Sequence, residues 1–547
     1  MLTNDIKKQY QVREMTSGGQ SYRVFKDNYH HLTEVFRCFE EYADRELVIY
    51  QDQRLSYADM GLRAARLAAA LENQHDVRAG SRIGIGLANS PHWLTAFIAV
   101  SALGAIPVLI NSRTTSADLA YCLESTGCQL WFGENAVAGI SAHCLTRADI
   151  DLITASQSQP ELPLVTRLPE DEAILIFTSG TTGKPKAAIL THLGVLTALK
   201  TIAYSSALIT QDMARQYGMD YETLVKLKPP PVTLLIFPLF HISGCHAVFL
   251  SALLQGGKLI LMDKWQPLGA MQLMQAEKVT SFPGVPTMHW DLLRLEQRDQ
   301  FDLSSLTSLS VGGQATPPAL LAAIHQAYPQ AVIGTGYGMT EANGTVTLAV
   351  GSQFLENPTS AGKPISLIDT EIRDDSGDPV GANAIGEIHV RGSTLMAGYA
   401  NTDVNPFDEN GWFGTGDIGY LDADNQLYIV DRRTDMVISG GENIYCAEVE
   451  QAIDLHPSVM ESAAIGRPDE RLGEKLIAVV VPLPGRTISS QEVIDLCSEH
   501  LAKNKIPKTV LIRTDPLHRI ASGKINKRMI RQELDQQQTT TPQGAQQ

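Results

Sequence analysis

The most informative stretch of the chain is AILIFTSGTTGKPKAAILTH, residues Ala173 to His192. It begins with an apolar run typical of a buried strand and continues into a loop of threonine, serine and glycine with two lysines. Glycines let backbone N–H groups approach an anion, hydroxyls donate hydrogen bonds to it, and lysines neutralise its charge. The stretch therefore predicts a phosphate-binding loop, whose residues are Thr178, Ser179, Gly180, Thr181, Thr182, Gly183, Lys184 and Lys186.

This loop differs from the Walker A loop, which has four residues between its glycines and a serine or threonine after the lysine. Here Gly180 and Gly183 are separated by two residues, and Pro185 follows Lys184. A plain surface turn is the alternative, because TSG and GKP are both good turn sequences. The residue types favour an anion-binding loop of another class.

Short apolar runs alternate with amphipathic stretches from about residue 30 to residue 430. RIGIGL at 82–87, TLLIF at 233–237 and KLILM at 258–262 predict strands, whereas LRAARLAAALE at 62–72 predicts a helix. This alternation is typical of α/β sheets. Between about 380 and 430 the pattern changes to short strands and turns, which predict a small β-rich subdomain.

The C-terminal part has a different pattern. AEVEQAIDLH at 447–456 and SQEVIDLCSEHLAK at 490–503 predict helices, and KLIAVVVPL at 475–483 and TVLIR at 509–513 predict strands of a small α+β domain. The polar tail from Gln536 is typical of disorder. We therefore predict an α/β N-terminal domain over residues 1–431, a mobile α+β domain over 432–535 and a disordered tail over 536–547.

Composition excludes several classes of protein. At 547 residues the chain is too long for one compact core, and its net charge of −16 disfavours nucleic acid as a partner. Seven scattered cysteines favour a reducing, cytoplasmic location. The apolar runs at 93–110 and 231–257 are long enough to span a membrane, but glycine, proline and histidine interrupt them. We interpret each as a buried helix and strand joined by a turn.

Six further motifs follow the phosphate-binding loop in order: PLFH at 238–241, GYGMTE at 336–341, GEIHVRG at 386–392, GWFGTGD at 411–417, YIVDRRTDMVISGGENIY at 428–445 and ASGKI at 521–525. Together with TSGTTGKPK at 178–186, they resemble the signatures of the adenylate-forming acyl-activating enzymes. That family includes acyl-CoA synthetases, beetle luciferases and the adenylation domains of peptide synthetases. The resemblance covers nearly the whole chain, and it implies ATP, Mg²⁺, a carboxylic acid and coenzyme A as the small-molecule partners.

The resemblance assigns the nucleotide contacts. Attack of a carboxylate on the α-phosphate of ATP brings two anions together, so charge must be neutralised there. Glu341 resembles the Mg²⁺ ligand, Thr340 the donor to the α-phosphate and Tyr337 the aromatic face for adenine. Asp417 resembles the carboxylate that accepts both ribose hydroxyls, with Arg432 as a second ribose contact. The predicted nucleotide set also includes Gly313, Gly336 and Gly338.

The resemblance also implies two domain poses. In the family the lysine equivalent to Lys524 bridges the carboxylate and the α-phosphate, which requires the small domain to rotate about a hinge just after Asp431 and Arg432. A second pose presents the GGEN loop to form a tunnel for the thiol. We therefore count Lys524, Thr340, Glu341 and His241 as predicted catalytic residues, and Gly440, Gly441 and Glu442 as predicted coenzyme A contacts.

The kind of acyl substrate is predicted from a position at which this chain differs from the peptide-synthetase domains. Peptide-synthetase domains usually carry aspartate where this chain has His241, and without that carboxylate an amino acid loses the partner of its ammonium group. We expect a plain carboxylic acid, with a medium- or long-chain fatty acid first and an aryl or other acid second. Gly194, moreover, stands where the family often has asparagine.

The expected acceptor is coenzyme A, since no phosphopantetheine attachment motif follows the ligase region. Loading of a separate carrier protein, a non-catalytic homologue that only binds the adenylate, and a luciferase-like oxygenase are the alternatives. The sequence leaves open a peripheral contact with a membrane and the formation of oligomers.

Overall fold

The computed structural model describes residues 4–17, 20–178, 184–313, 316–439, 442–519 and 525–539. The chain divides into two compact units. The first comprises Met1–Gly312, Pro318–Thr370 and Val390–Phe413, and the second comprises Gly313–Pro317, Glu371–His389 and Gly414–Gln547. Both mix helices with sheets, so the α/β class with a large and a small part is confirmed. The hinge after residue 431 stays a prediction.

The larger sheet of the first unit is mostly parallel. Its strands run in the order Lys363–Pro364, Thr347–Val350, Val332–Thr335, Ser308–Val311, Ser281–Gly284, Val232–Leu235, Lys258–Leu261, Glu46–Tyr50 and Gln53–Ser56. In the strand Lys258–Leu261 the apolar residues Leu259 to Leu261 are buried on both faces, as expected of a parallel strand covered by helices. The strand Ser308–Val311 instead alternates exposed serines with buried apolar residues. The strands predicted from TLLIF and KLILM are confirmed.

The other sheet of the first unit carries the phosphate-loop strands at one end. The order is Gly398–Tyr399, Lys186–Thr191, Glu172–Thr178, Ile106–Leu109, Arg82–Ile85, Leu130–Phe132 and His143–Leu145. A hairpin, Val12–Ser17 with Gln20–Phe25, and the short pair Gly338–Met339 with Gly344–Thr345 complete the described strands of this unit. Predicted site residues therefore follow the strand Val332–Thr335 of the larger sheet and lie on the phosphate-loop strands of the other sheet.

Helices cover both sheets. The α-helices of the first unit are Asn4–Gln9, Cys38–Glu41, Tyr57–Gln74, Pro91–Ala102, Ser116–Ser125, Arg147–Thr154, His192–Gln216, Tyr221–Leu227, Ser251–Gln255, Pro267–Ala276, Pro286–Leu293, Pro318–Ala327 and Ser352–Glu356. Leu32–Arg37, Arg298–Gln300 and Thr340–Ala342 are 3₁₀-helices, and Ser243–Leu250 is a π-helix. Local sequence explains many of their starts: the Ser56 hydroxyl accepts a hydrogen bond from the Asp59 N–H at 3.0 Å, which forms half of a capping box.

Both membrane-length runs fold as predicted. Residues 93–110 form most of the helix Pro91–Ala102 followed by the strand Ile106–Leu109. Among the described residues, one helix, His192–Gln216, is long and apolar enough to cross a membrane, and half of its most apolar 18-residue stretch is buried inside the protein. A core helix passes the same criteria, so this length carries no membrane assignment.

The second unit contains a sheet in the order Glu442–Ile444, Val437–Ser439, Gly473–Pro482 and Val459–Asp469, with Thr509–Ile512 parallel to Gly473–Pro482. The helices Cys446–Ile453, Ser490–His500 and Lys527–Thr539 and the 3₁₀-helix Lys503–Lys505 accompany it. A further sheet, with most of its residues in this unit, has the order Ile368–Arg373, Gly386–Gly392, Phe413–Leu421 and Leu427–Arg432. The predicted helices and strands are thus present.

The tail prediction needs a correction. The last helix reaches Thr539, so residues 536–539 are helical where disorder was expected. Glutamine is a good helix former and the three residues Gln536 to Gln538 extend a helix already begun, which is why a polar composition alone misjudged its end. Residues 540–547 lie outside the described part of the chain.

A partly buried ion pair holds the start of this last helix. Lys527 Nζ lies 2.8 Å from Glu450 Oε1 on the helix Cys446–Ile453. Burial alone lowers the pKa of Lys527, but Glu450, Asp431 and Asp435 raise it overall. Asp431 is itself buried, and burial raises its pKa. Lys527 therefore neutralises carboxylates next to the predicted hinge, and removing it would leave them unpaired.

Buried histidines make the stability of the first unit depend on pH. Burial lowers the pKa of His192 to about 4, that of His246 to about 3 and that of His289 to about 4. The unfolded chain binds a proton at each site below about pH 6.5, whereas the folded chain stays neutral there. Each histidine therefore removes stability as pH falls from about 6.5 towards 4, by about 2 kcal/mol at pH 5 for a folded pKa of about 4.

We predict that His192→Asn flattens this dependence. His192 Nδ1 accepts the Leu32 N–H at 2.9 Å, and an asparagine oxygen can accept the same bond without titrating. The difference in unfolding free energy between pH 7 and pH 5 should shrink by about 2 kcal/mol in urea titrations. His325→Asn, at an exposed position, is the matched control and should keep the parent's difference. If the difference in unfolding free energy between pH 7 and pH 5 is unchanged in His192→Asn, the lowered pKa of His192 is wrong.

Candidate active site

Several predicted motifs leave the larger sheet at one edge. The strands Val232–Leu235, Ser281–Gly284, Ser308–Val311 and Val332–Thr335 are parallel neighbours. Carboxyl ends of parallel strands share one edge of a sheet, where α/β proteins commonly bind ligands. PLFH begins three residues after Leu235, and GYGMTE begins directly after Thr335. A further segment, PGVPT at 283–287, starts with the last two residues of Ser281–Gly284. The topology therefore brings these motifs together.

Glu341 is held at both its main chain and its side chain. It lies in the 3₁₀-helix Thr340–Ala342, and its carbonyl accepts the Met396 N–H at 2.8 Å. The Tyr399 hydroxyl donates to Glu341 Oε1 at 3.0 Å. Burial, and then the neighbouring Glu341 carboxylate, raise the pKa of Tyr399, so this hydroxyl stays protonated and can donate. The carboxylate is thereby aimed by residues of the segment 394–399.

The glycines of GYGMTE are required by close backbone packing. A β-carbon on Gly338 would lie 2.1 Å from the Gly344 carbonyl oxygen, and one on Gly336 would lie 2.6 Å from that of Thr347. The backbone of Tyr337 is fixed by the same segment, because its N–H donates to Thr347 Oγ1 at 3.3 Å. Backbone packing therefore requires glycine at both positions, whether or not a nucleotide is bound.

The phosphate-loop strands approach the Glu341 turn. Glu172–Thr178 and Lys186–Thr191 are antiparallel, and Thr178 pairs with Lys186. The ammonium group of Lys186 lies 5.2 Å from the ring centroid of Tyr399, the residue that binds Glu341. A cation from the phosphate-loop motif and the carboxylate predicted to hold Mg²⁺ therefore flank the same tyrosine.

Lys184 has a separate aromatic neighbour. Its ammonium group lies 4.8 Å from the ring centroid of Tyr121, whose hydroxyl accepts a hydrogen bond from Asn401 Nδ2 at 3.1 Å. Asn401 Nδ2 also donates to the Pro185 carbonyl at 3.1 Å. Side chains distant in sequence thus support the end of the loop.

Part of the predicted site cannot be placed. The predicted residues that lie outside the described part of the chain are Ser179, Gly180, Thr181, Thr182, Gly183, Gly440, Gly441 and Lys524. Their predicted roles stay predictions.

His241 lies in the turn after the strand Val232–Leu235, just before the π-helix Ser243–Leu250. The His241 ring centroid is 4.6 Å from that of Phe240. The backbone N–H of His241 donates to the Pro238 carbonyl at 3.1 Å. This turn is tight because a β-carbon on Gly244 would lie 2.3 Å from the same Pro238 oxygen. His241 is half-buried, at the sheet edge where the resemblance predicts the acyl group.

The two predicted ribose contacts are partners of each other. Asp417 pairs with Arg432 across neighbouring strands of the second unit, and Arg432 Nε donates to Asp417 Oδ1 at 3.1 Å. The Asp417 side chain is buried at 8% exposure, whereas that of Arg432 is 57% exposed. The guanidinium therefore orients a carboxylate that the strand pairing places beside it.

Two other predicted contacts have definite positions. Glu442 begins the strand Glu442–Ile444, and its Oε2 accepts the Asn504 side chain at 2.5 Å. Gly313 follows the strand Ser308–Val311 and has a φ of 86°, which suits glycine best. Both residues lie at or just after the end of a strand.

The segment that carries Lys524 is anchored on both sides. Arg519 and Ile525 form an antiparallel bridge, and the Asn526 N–H donates to the His518 carbonyl at 2.6 Å. Arg519 also forms an ion pair with Glu461. The chain between these anchors is short, so the ends of the Lys524 segment are held close together.

Sequence reasoning missed the residues that support the motifs. Tyr399, Tyr121 and Asn401 stand in unremarkable sequence, and nothing in spacing or composition marks them. Asn343 also escaped notice, although an asparagine before a glycine is a known turn signal. Their importance arises only from contacts made across the fold.

Comparisons with known proteins identify the family. The model of the AMP-binding enzyme family matches residues 35–400, and that of the AMP-binding enzyme C-terminal domain matches residues 448–524. The chain belongs to the AMP-binding enzyme family. The resemblance seen in the sequence motifs is therefore confirmed, and the structural agreement extends over both units.

Individual relatives are similar over most of their length. A feruloyl-CoA synthase from an Amycolatopsis species is 37% identical over 487 residues, which cover 87% of this chain and 93% of that protein. A 4-coumarate–CoA ligase from Nicotiana tabacum is 31% identical over 523 residues, with 91% and 93% covered. The o-succinylbenzoate-CoA synthetase of Bacillus subtilis, solved with its acyl-adenylate intermediate, has 28% identity and a TM-score of 0.76, with 95% and 99% covered.

This AMP-binding enzyme is therefore an acyl-CoA ligase that works through an acyl adenylate and uses ATP, Mg²⁺ and coenzyme A. The same Bacillus subtilis protein has been solved with ATP and a magnesium ion, at 29% identity and a TM-score of 0.74, with 92% of this chain and 98% of that chain covered. The family assignment fixes the reaction class, whereas the acid and the roles of single residues need separate arguments.

The described residues fit a magnesium ion that is shared with the nucleotide. Among them, no group of three or more histidine, cysteine, aspartate or glutamate side chains is clustered to hold a metal. Mg²⁺ commonly takes one or two carboxylates from the protein and its other ligands from phosphates and water. Glu341, with Oε1 already oriented by Tyr399, suits such a site. The ion would supply positive charge where the phosphates gather.

We predict that Glu341→Gln raises the Mg²⁺ concentration for half-maximal pyrophosphate exchange by at least about tenfold, because a neutral amide is a weaker ligand than a carboxylate. Tyr399→Phe should raise it less, by about fivefold, since it removes one hydrogen bond to a carboxylate that remains. Mg²⁺ titrations at fixed ATP measure both effects.

Glu356→Gln is the control for this experiment. Glu356 ends the helix Ser352–Glu356 and lies away from the predicted motifs in sequence. It should leave the titration unchanged. An unshifted titration for Glu341→Gln would rule out Glu341 as the metal ligand.

Proposed function

We propose that this ligase activates an aromatic carboxylic acid, of the hydroxycinnamate class, and transfers the acyl group to coenzyme A. The observation that carries the proposal is the 37% identity to a feruloyl-CoA synthase over 87% of this chain. The 4-coumarate–CoA ligase from Nicotiana tabacum acts as a second argument for the same class. The fatty acid that the sequence placed first has no support from these two names, so the aryl acid now comes first.

The described acyl-side residues support a flat acyl group that carries no ammonium group. His241 provides no negative charge for an ammonium group, and its ring packs beside that of Phe240. Gly284 ends one strand and Gly312 directly follows its parallel neighbour, and a β-carbon on Gly312 would meet nothing within 4 Å. An aromatic ring packs well against peptide planes and other rings. In this proposal the ring of the aryl acid lies beside Gly312 and His241.

The proposed chemistry assigns each polar group a task. Lys184 and Lys186 offset the charge of the phosphates, and Thr340 donates to the α-phosphate as the carboxylate attacks it. Tyr337 packs against adenine, while Asp417 accepts the ribose hydroxyls in an orientation set by Arg432. Pyrophosphate leaves, and the thiol of coenzyme A then attacks the acyl carbon with release of AMP. The segment 440–442 lines the path of the thiol in this proposal.

The residues after Arg432 are proposed to carry the change between the two half-reactions. The Asp435 N–H donates to the Arg432 carbonyl at 2.9 Å, which closes a turn over Arg433 and Thr434. A turn can absorb a change of backbone dihedral angles without breaking a strand or helix. Lys524 acts only in the first half-reaction under this scheme.

A substrate panel tests the proposed acid. The purified protein is given ATP, Mg²⁺ and coenzyme A with ferulate, 4-coumarate, cinnamate, benzoate, octanoate or palmitate, and AMP and thioester are measured. We expect the hydroxycinnamates to have kcat/KM at least about tenfold above the fatty acids, because one pocket contact is worth about 1–3 kcal/mol. A higher value for octanoate or palmitate would refute the proposal. Acid-dependent pyrophosphate exchange without thioester formation in the presence of coenzyme A would instead favour a carrier-protein acceptor.

We predict that Lys524→Ala lowers the rate of adenylation by about 10²- to 10³-fold, by analogy with the loss of one preorganised donor. Thioester formation from synthetic feruloyl adenylate should be spared, because no phosphate charge develops in that step. Pyrophosphate exchange and thioester formation are measured on the same preparation. Arg528→Ala removes an exposed positive charge nearby and serves as the control. Equal losses in both half-reactions would exclude this role for Lys524.

A further inference from the structure

Asn343 ends the turn that carries Glu341. It has a φ of 54°, in the left-handed region that suits glycine and asparagine, and its N–H donates to the Thr340 carbonyl at 3.0 Å. Asn343 is fully buried. A residue in this position must satisfy both an unusual backbone conformation and the hydrogen bonds of a polar side chain without water.

The Asn343 side chain attaches this turn to the segment that also holds Glu341. Asn343 Nδ2 donates to the Thr394 carbonyl at 2.7 Å. The same segment provides the Met396 N–H and the Tyr399 hydroxyl that bind Glu341. Residues 394–399 therefore hold the turn at two places. They bind Glu341, and the Thr394 carbonyl accepts the side-chain amide of Asn343.

The amide of Asn343 lies close to Gly194, which has no side chain to clash with it. Gly194 is the third residue of the helix His192–Gln216, and a β-carbon there would lie 2.7 Å from Asn343 Nδ2. Such a distance is too short for any real contact, so one of the two groups would have to move. The helix therefore carries a glycine at the point towards which the turn directs the amide of Asn343.

The surroundings of the amide are polar. Thr191 Oγ1, which caps the helix by accepting the Gly194 N–H at 3.1 Å, lies 3.4 Å from the β-carbon position of Gly194. His246, buried in the π-helix, is another neighbour: the Asn343 side chain raises its pKa, although the larger effect of burial lowers it. A displaced amide would therefore leave buried polar groups without their partner.

We propose that Asn343 is a positioning residue for Glu341 and that Gly194 is its structural complement. The inference rests on the proposed role of Glu341 as the Mg²⁺ ligand. Asn343 touches neither substrate nor metal in this scheme; it fixes the direction of the turn, and Gly194 makes room for it. Two positions 149 residues apart in sequence then act as one unit.

Reciprocal substitutions test the coupling. Asn343→Gly keeps the left-handed backbone but removes the bond to Thr394, so the Mg²⁺ concentration for half-maximal pyrophosphate exchange should rise about tenfold, with a smaller change in kcat at saturating Mg²⁺. Gly194→Asn should cause a larger rise. The double variant Gly194→Asn/Asn343→Gly should recover at least about tenfold relative to Gly194→Asn, because its amide enters vacated space.

Two further variants keep the result interpretable. Asn425→Gly changes another left-handed asparagine, with φ of 61° and an exposed side chain, and should leave the titration unchanged. If Gly194→Asn does not fold, Gly194→Ala provides the same clash at the β-carbon and is rescued by Asn343→Gly in the same way. Thermal unfolding of each variant identifies a general loss of structure.

A second measurement separates this inference from the proposed function. The thermal stabilisation by Mg²⁺ and ATP, without any acid, reports on the nucleotide site even if the acid is not aromatic. If Glu341→Gln shifts the Mg²⁺ dependence and Asn343→Gly does not, the positioning role is wrong while the metal ligand stands. If the double variant shows only the product of the two single effects, Gly194 and Asn343 are independent and the inference is overturned. If Glu341→Gln causes no shift, the metal assignment itself fails.

Discussion

The short strand Gly398–Tyr399 makes the contact on which the nucleotide side of the first unit depends. Its backbone pairs with Ala188 and Ile189 on the second strand of the phosphate-loop motif. Its tyrosine donates to Glu341, in the turn that follows the larger sheet. One strand of two residues therefore joins the two sheets and links the strand Lys186–Thr191 to the carboxylate that is predicted to hold the metal. In the proposed scheme, charge neutralisation during adenylate formation needs both.

The overall charge of the chain does not favour its anionic substrates. The chain carries a net charge of −16, which would repel ATP and a carboxylate at long range. The predicted site residues nevertheless include four cations, Lys184, Lys186, Arg432 and Lys524. Lys186 lies beside a tyrosine, and Arg432 beside a buried aspartate. In the proposed scheme these individual cations, and not the overall charge, attract the anionic substrates.

Most regular elements were predictable from the sequence, because periodicity reports which side of an element is buried. KLIAVVVPL and SQEVIDLCSEHLAK became the strand Gly473–Pro482 and the helix Ser490–His500. The strand Val459–Asp469 was not predicted, since Glu461, Gly466 and Pro468 interrupt its apolar pattern. It forms because it pairs along its length with Gly473–Pro482 and because Glu461 finds Arg519 as a partner. The end of the last helix was misjudged for a similar reason: composition does not show where a helix already begun will stop.

The sequence by itself determined the reaction class. A glycine-rich loop with two lysines and ordered motifs can be read without a fold, because each requires a particular residue type at a fixed local spacing. Only the tertiary structure decided how the motifs are held. Tyr399 matters because strand pairing brings it to Glu341, and Asn343 matters because Gly194, on a helix distant in sequence, leaves room for its amide. Such roles depend on distances between segments that are far apart along the chain, and no local pattern encodes those distances.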